Sequence, residues 1–337
     1  MKDLNITIFF AFKGCNLDRN LALEFVRITE AAAISCARLM GKGDKIKADK
    51  AAVDSMRKRF NYVNFKGKVV IGEGEKDEAP MLYIGEELGT GEGPEMDIAI
   101  DPLECTDNLA KGKPNAISVL AAGPKGSLPN APGSYMDQLA VGPAAKGVID
   151  IKAPIKDNLK NIAKALKKDV DELTVIILER DRHNEMIRQI REAGARIRLI
   201  EHGTISAGIA PAIPNSGIDV MMGIGGAPEG VITAVALKCI GGEMQGILKP
   251  HTEQFKQQAI ERGLDLNKVY KTDDLAKGNY LVFAATGVSD GPLLKGVVFT
   301  QYGQITHSLV MRSKSGTIRY VETHHHESMP KGYKGRV

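Results

Sequence analysis

Between about Asp157 and Cys239 the chain alternates helix-spaced stretches with short β-branched runs, and nothing else in it limits the fold so strongly. Helix Asn158–Leu166 leads to strand Thr174–Leu178, and helix Asn184–Ala193 to strand Arg196–Ile200. Strand Asp219–Gly223 then leads to helix Glu229–Cys239. Such alternation predicts an α/β unit with parallel strands. Upstream, Asp18 is placed to cap a helix over about Arg19–Met40, where Leu21, Phe25, Ile28, Ala32, Cys36 and Leu39 step by three or four and Gly41 supplies the stop. A second helix is expected over Ala48–Asn61 and a third over Ala79–Glu87. Strands are expected at Lys68–Ile71, Met96–Ile100, Asn115–Ala122 and Met136–Val141. The last part returns to strands at Tyr280–Ala284, Val297–Thr300, Thr306–Arg312 and Thr317–Val321.

The reading is therefore a layered α/β protein in two parts. Residues 1–17 form an extension, 18–155 an α+β domain, 156–325 an α/β domain, and 326–337 a tail. A chain of 337 residues is long enough for about two domains. Its net charge of +4, from 45 basic and 41 acidic side chains, is too balanced to argue for nucleic acid or a membrane surface. No stretch approaches the apolar length of a membrane helix. Cys15, Cys36, Cys105 and Cys239 are scattered without a CxxC pair, which suits a reducing cytoplasm rather than a disulfide framework.

The chemistry is acidic. Asp49 sits near a helix start. Glu73 and Glu75 follow one strand, Asp101 and Glu104 follow another, and Glu229 follows a third at a helix start. Ligands of α/β sheets bind beyond the carboxyl ends of strands, so these acids can converge. Taken singly, an acid after a strand is more often a cap or turn residue. Glu75, Asp77 and Glu78 can be simply solvated. As a set, clustered carboxylates repel unless a cation lies between them, and all-oxygen ligands suit Mg²⁺ or Mn²⁺. Two such ions about 3.5–4 Å apart can clamp the attacking and leaving oxygens of a phosphoryl transfer. Asp101 and Glu104 lie three apart in a turn stiffened by Pro102. Thr106 would open a helix whose free N–H groups can hold phosphate. Neither a nucleotide loop nor a Ser/His/Asp triad is defensible, and His324-His325-His326 reads as a solvated end.

Several blocks carry a resemblance: GKGDK at Gly41–Lys45, IGEGEKDEAPMLYIGE at Ile71–Glu86, DPLECT at Asp101–Thr106, NAPGSYM at Asn130–Met136, GIGGAPEG at Gly223–Gly230 and AATG at Ala284–Gly287. With these the chain resembles the class II fructose-1,6-bisphosphatases, a branch of the lithium-sensitive sugar and inositol phosphatases, from about Leu21 to Tyr320. The resemblance implies an αβαβα sandwich of the sugar-phosphatase type, a homo-oligomer, and metal-dependent hydrolysis of fructose 1,6-bisphosphate in gluconeogenesis, with sedoheptulose 1,7-bisphosphate as a second substrate. Matched residue by residue, Asp49 and Glu73 would hold one metal, and Asp101, Glu104 and Glu229 another. Lys45 would lie beside the site, and Glu104, Cys105 and Thr106 would line the scissile phosphate. Thr106 would orient the attacking water. Tyr135, Arg180, Arg182, His202 and Thr204 would hold the sugar and its distal phosphate, with Gly226 approaching through its backbone.

Two departures stand out. Cys105 replaces a usual glycine, so positive φ there would strain it; its thiol is either an oxidation-sensitive neighbour of the phosphate or an inert filler. His202-Gly203-Thr204 replaces a usual Asp-Gly-Asp, which leaves open a related phosphatase with shifted preference. A non-catalytic metal and sugar-phosphate binding protein is a third reading, disfavoured because no ligand is lost.

Overall fold

The computed structural model describes residues 21–74 and 81–326. Asp18, Cys15, the 1–17 extension, the acids Glu75, Asp77 and Glu78, and the tail beyond His326 lie outside the described residues.

The first sheet contains β1 (Lys66–Ile71), β2 (Glu87–Leu88), β3 (Glu95–Glu104) and β4 (Ile117–Pro124). The second contains β5 (Tyr135–Val141), β6 (Thr174–Leu178), β7 (Arg196–Ile200), β8 (Val220–Gly226), β9 (Glu243–Lys249) and β10 (Tyr270–Lys271). The chain then returns to the first sheet with β11 (Val282–Gly287), β12 (Val298–Thr300), β13 (Gly303–Arg312) and β14 (Thr317–His326). The strand orders are β12-β13-β11-β4-β3-β1-β2, with β14 also on β13, and β10-β9-β5-β8-β6-β7. The expected parallel pairing is found where β6 lies beside β7 and β8; β1 and β3 are parallel too, and the remaining pairs are antiparallel. The division at 155/156 is one of sequence texture, and both sheets cross it.

Helices make the other layers. α1 (Leu21–Ala37) and α2 (Lys45–Phe60) cover the outer face of the first sheet, where Phe25, Phe60, Phe65 and Ile98 are fully buried. α3 (Thr106–Ala110) follows β3. α4 (Ile155–Leu166) and α5 (Asn184–Glu192) cover the outer face of the second sheet. α6 (Thr204–Ile209) and α7 (Ala227–Ile240) lie between the sheets, and α8 (Glu253–Glu261) and α9 (Thr272–Leu275) border this middle core. Ten of the 14 residues of α7 are buried, and a helix apolar on most of its faces must be enclosed on most of its sides. The layer sequence is the αβαβα sandwich expected.

The expected helix over Ala79–Glu87 is a correction. Of its described part, 81–86 is loop and Glu87 begins β2. The Glu86 carboxylate accepts the Leu82 N–H and pairs with Arg57, while Glu73 N–H donates to Leu82 O at 3.0 Å. These bonds tie the segment back to β1 in place of helical bonds. Among the described residues no helix is long and apolar enough to cross a membrane.

Candidate active site

A cavity of about 540 Å³ opens at the carboxyl ends of β1, β3, β6 and β7. Asp49, Glu73, Asp101, Glu104, Cys105, Thr106, Tyr135, Arg180, Arg182, His202, Thr204, Gly226 and Glu229 all line it. Lys45 does not. It starts α2 at the rim, with Nζ 3.3 Å from Asp107, which does line the cavity.

Two sheet irregularities aim the acids. Along β3, Met96, Ile98 and Ile100 face α1 and α2, so Ala99 and Asp101 face the middle layer. The β1–β3 register shifts between Val69 and Ile71, moving Ile71 from the outer face to the middle core. Glu73 leaves the strand toward the cavity as a result. On β3 the register against β4 shifts between Asp101 and Glu104, so both acids of the turn reach the same space. Bulges commonly re-aim side chains beside active sites.

Each acid is fixed by a different contact. Asp101 Oδ1 accepts the Leu103 N–H at 3.1 Å. Glu104 Oε1 accepts the Ile205 N–H at 2.9 Å, bridging the first sheet to α6. Glu229 lies in the first turn of α7, and its carboxylate folds over Gly226. A Cβ on Gly226 would stand 1.8 Å from Glu229 Oε2, so only glycine lets the carboxylate lie there.

Burial and mutual repulsion push these acids toward their neutral forms. Asp49 and Glu73 share a hydrogen bond; burial raises both, and the Asp49 charge raises Glu73 further. Asp101 rises well above the carboxylate range through burial, then through the charges of Glu104, Glu73, Glu229 and Asp49. Burial pushes Glu104 up to about 8 despite its backbone donors, and burial raises Glu229. Among the described residues no three His, Cys, Asp or Glu side chains already enclose one point. The acids ring the cavity rather than close on it. Glu104 Oε2 and Glu229 Oε2 are nonetheless buried without a hydrogen-bond partner. Orphaned carboxylate oxygens in an all-oxygen set fit a hard divalent cation.

Cys105 has φ 69° and ψ 41°, the left-handed conformation that its usual glycine would adopt without strain. Burial and the surrounding acids raise its thiol far above the ordinary range, so the inert-filler reading fits better than the oxidation-sensitive one. Its Sγ packs toward Gly203, where an added Cβ would stand 3.2 Å away.

Another part of the wall is basic and aromatic. Arg180 donates from Nη1 to Glu179 O at 2.9 Å and from Nη2 to Glu201 O at 2.6 Å, joining the ends of β6 and β7. Arg182 donates to Ile224 O at 2.9 Å and lies over the Tyr135 ring, 4.7 Å from its centroid. His202 is half-buried, and burial with the Arg180 charge holds it below the ordinary imidazole range. Thr204 is buried, its methyl packed toward Gly225.

Sequence reasoning missed Asp107 and Glu201 on the cavity wall, which pair with Lys45 and Lys113. It also missed His183 behind the wall. His183 Nδ1 lies 2.8 Å from Leu178 O, and Nε2 accepts the Ile224 N–H at 2.8 Å. A carbonyl on one side and an N–H on the other admit only the neutral Nδ1–H tautomer. No spacing rule places His183 between β6 and β8; the adjacency of Arg182 was the available signal.

The bacterial, glpX-encoded fructose-1,6-bisphosphatase family profile matches residues 19–325. Proteins named D-fructose 1,6-bisphosphatase class 2/sedoheptulose 1,7-bisphosphatase from two Synechococcus strains, JA-2-3B'a(2-13) and JA-3-3Ab, are each 45% identical over 334 residues, covering 92% of this chain and 96% of the relative. The protein of that name from Thermosynechococcus vestitus is 45% identical over 338 residues with the same coverage. Among solved structures, an extragenic suppressor from Pyrococcus furiosus shares 14% identity over 56% of this chain and 69% of that one, at a TM-score of 0.29 that carries no argument. With the family profile spanning residues 19–325 and relatives 45% identical over 92% of it, the chain belongs to the bacterial, glpX-encoded fructose-1,6-bisphosphatase family.

Proposed function

We propose that the cavity hydrolyses the 1-phosphate of fructose 1,6-bisphosphate, with the acids as metal ligands and the arginines as the distal-phosphate clamp. One observation carries this reading: the five candidate metal-ligating carboxylates and two arginines, far apart in sequence, line one cavity. Sedoheptulose 1,7-bisphosphate presents the same two phosphate ends and is proposed as a second substrate.

The family is metal-dependent. Asp49, Glu73, Asp101, Glu104 through Oε2, and Glu229 through Oε2 would hold Mg²⁺ or Mn²⁺. When bound, such an ion supplies Lewis-acid polarisation of the phosphoryl group and acidifies water. The protein's own groups do the rest. Thr106 Oγ1 donates its proton to Leu103 O at 2.9 Å, so its lone pairs face outward to accept from the attacking water. Glu73, hydrogen-bonded to Asp49, is the acidic neighbour that, once ionised beside the cation, would take a proton from that water. Arg180 spends two N–H groups on carbonyls and keeps the rest for an anion, and a guanidinium fork suits phosphate.

We also infer that the chain works as a homo-oligomer in the cytoplasm. Val298, Phe299, Tyr302 and Tyr320 are exposed on the β12–β14 edge, and the described cysteines are all free. Light scattering tests the first inference.

Phosphate release with Mg²⁺ or Mn²⁺ tests the activity, comparing fructose 1,6-bisphosphate, sedoheptulose 1,7-bisphosphate, inositol 1-phosphate and fructose 6-phosphate. Turnover much faster on a bisphosphate is expected. Preference for a monophosphate would mean that His202 and Thr204 have redirected the pocket. No turnover on any substrate, with metal bound, would leave a binding protein.

A further inference from the structure

Tyr135 is backed by a stack that reaches away from the cavity. Its ring lies 4.5 Å from the His251 imidazole, planes 33° apart, and His251 lies 5.0 Å from the Phe255 ring at 43°. With Arg182 over Tyr135, four side chains from four segments form one run: guanidinium, phenol, imidazole, phenyl. Each neighbour sits within the range in which aromatic and cation–π pairs attract.

The run is anchored at several points. Tyr135 begins β5 opposite Lys249 of β9, so His251 follows two residues beyond that register point. Thr252 then caps α8, its Oγ1 accepting the Phe255 N–H at 3.2 Å. Between a paired strand and a capped helix, the backbone at His251 has little freedom. At the other end, Arg182 is pinned by Ile224 O, and Ile224 N–H by His183. His251 itself is exposed and does not line the cavity.

We propose that His251 is a positioning residue. It backs the Tyr135 ring and, through it, sets the Arg182 guanidinium for the phosphate at the far end of the sugar. This rests on the preceding reading that Tyr135 and Arg182 meet that end. A tyrosine at a strand start would otherwise sample several rotamers, and ordering it on binding would weaken affinity. The stack supports the groups that meet the distal phosphate and touches none of the acids assigned to the scissile one, so the effect falls on binding rather than turnover. A flat ring is what the stack requires, so phenylalanine substitutes for histidine and alanine does not.

The test uses the full chain, with His251→Ala, His251→Phe and Phe255→Leu, each first checked for an unchanged melting temperature. In His251→Ala the KM for fructose 1,6-bisphosphate should rise about five- to tenfold, the scale of one lost aromatic pair, with kcat changing less than about twofold. His251→Phe should restore KM to within about twofold. Fructose 1-phosphate, which lacks the distal phosphate, should show no matching change. Phe255→Leu should raise KM about twofold and serves if the alanine variant does not fold. An unchanged KM in His251→Ala would overturn the proposal. So would an equal loss on both substrates, or a failure of His251→Phe to rescue. Calorimetric affinity for fructose 6-phosphate separates this from the activity reading. If the wild-type protein released no phosphate from any sugar, that reading would fail. A His251→Ala affinity for fructose 6-phosphate weakened about fivefold would still support the stack. An unaltered affinity, or no wild-type binding, would overturn it.

Discussion

The two walls of the cavity are built on opposite principles. The acidic wall is not satisfied by the protein's own groups: its carboxylates crowd each other, rise toward neutrality, and leave Glu104 Oε2 and Glu229 Oε2 buried without partners. The basic wall is satisfied: Arg180, Arg182 and His183 each already hold protein carbonyls or N–H groups. One wall therefore has the donor set of a cation site, and the other offers a surface preorganised for an anion. The difference teaches that chemistry and recognition are divided between them, and each wall should fail in its own way.

The acidic wall should fail in kcat. Glu73→Ala or Asp101→Ala is expected to lower kcat by about a thousandfold or more while the protein still folds. Substantial phosphate release by either variant would sink the assignment of that acid. The basic wall should fail in KM: Arg180→Ala is expected to raise the KM for the bisphosphate by about ten- to a hundredfold and to change kcat only a few-fold. A fall in kcat at constant KM would erase the division.

Cation binding at the acidic wall should also be visible without substrate. Adding Mg²⁺ or Mn²⁺ at about a hundred times its Kd to chelated protein should raise Tm by about 5 °C, and by clearly less in Glu229→Gln. An equal rise in both would show that the ion binds elsewhere. The smallest effect belongs to His183. Its burial holds it below the ordinary value of 6.5, so the unfolded chain binds the extra proton first. Stability should therefore fall as pH drops through about 6.5 toward the lower folded value, and level off below that. Urea melts across that window should lose part of this slope in His183→Gln; identical slopes would count against the neutral bridge.

These walls were not equally legible in the sequence. The acids follow strand ends within short motifs, so local pattern alone indicates that Glu73, Asp101 and Glu104 can converge. Thr174–Leu178 and Arg196–Ile200 were read to the residue because β-branched runs bounded by polar turns are local signals. What escaped depends on partners distant in sequence. β9 and α8 went unread, and with them His251, whose role is set by its register against Tyr135. The shifts at Val69–Ile71 and Asp101–Glu104 are properties of strand pairs, and no single strand encodes them. The helix expected over Ala79–Glu87 failed because the buried Glu86 carboxylate captures the Leu82 N–H.

The return of the chain to its first sheet bears on how the enzyme is made. β4, whose neighbour β3 carries Asp101 and Glu104, is buried along almost its whole length, and its other edge is covered only by β11. On a ribosome β11 emerges after the entire second sheet. Until then the nascent chain displays an apolar strand edge, the surface most prone to pair with another molecule. Cover for that edge thus arrives late in synthesis, with the six residues Val282–Gly287, whose own far edge in turn waits for β13.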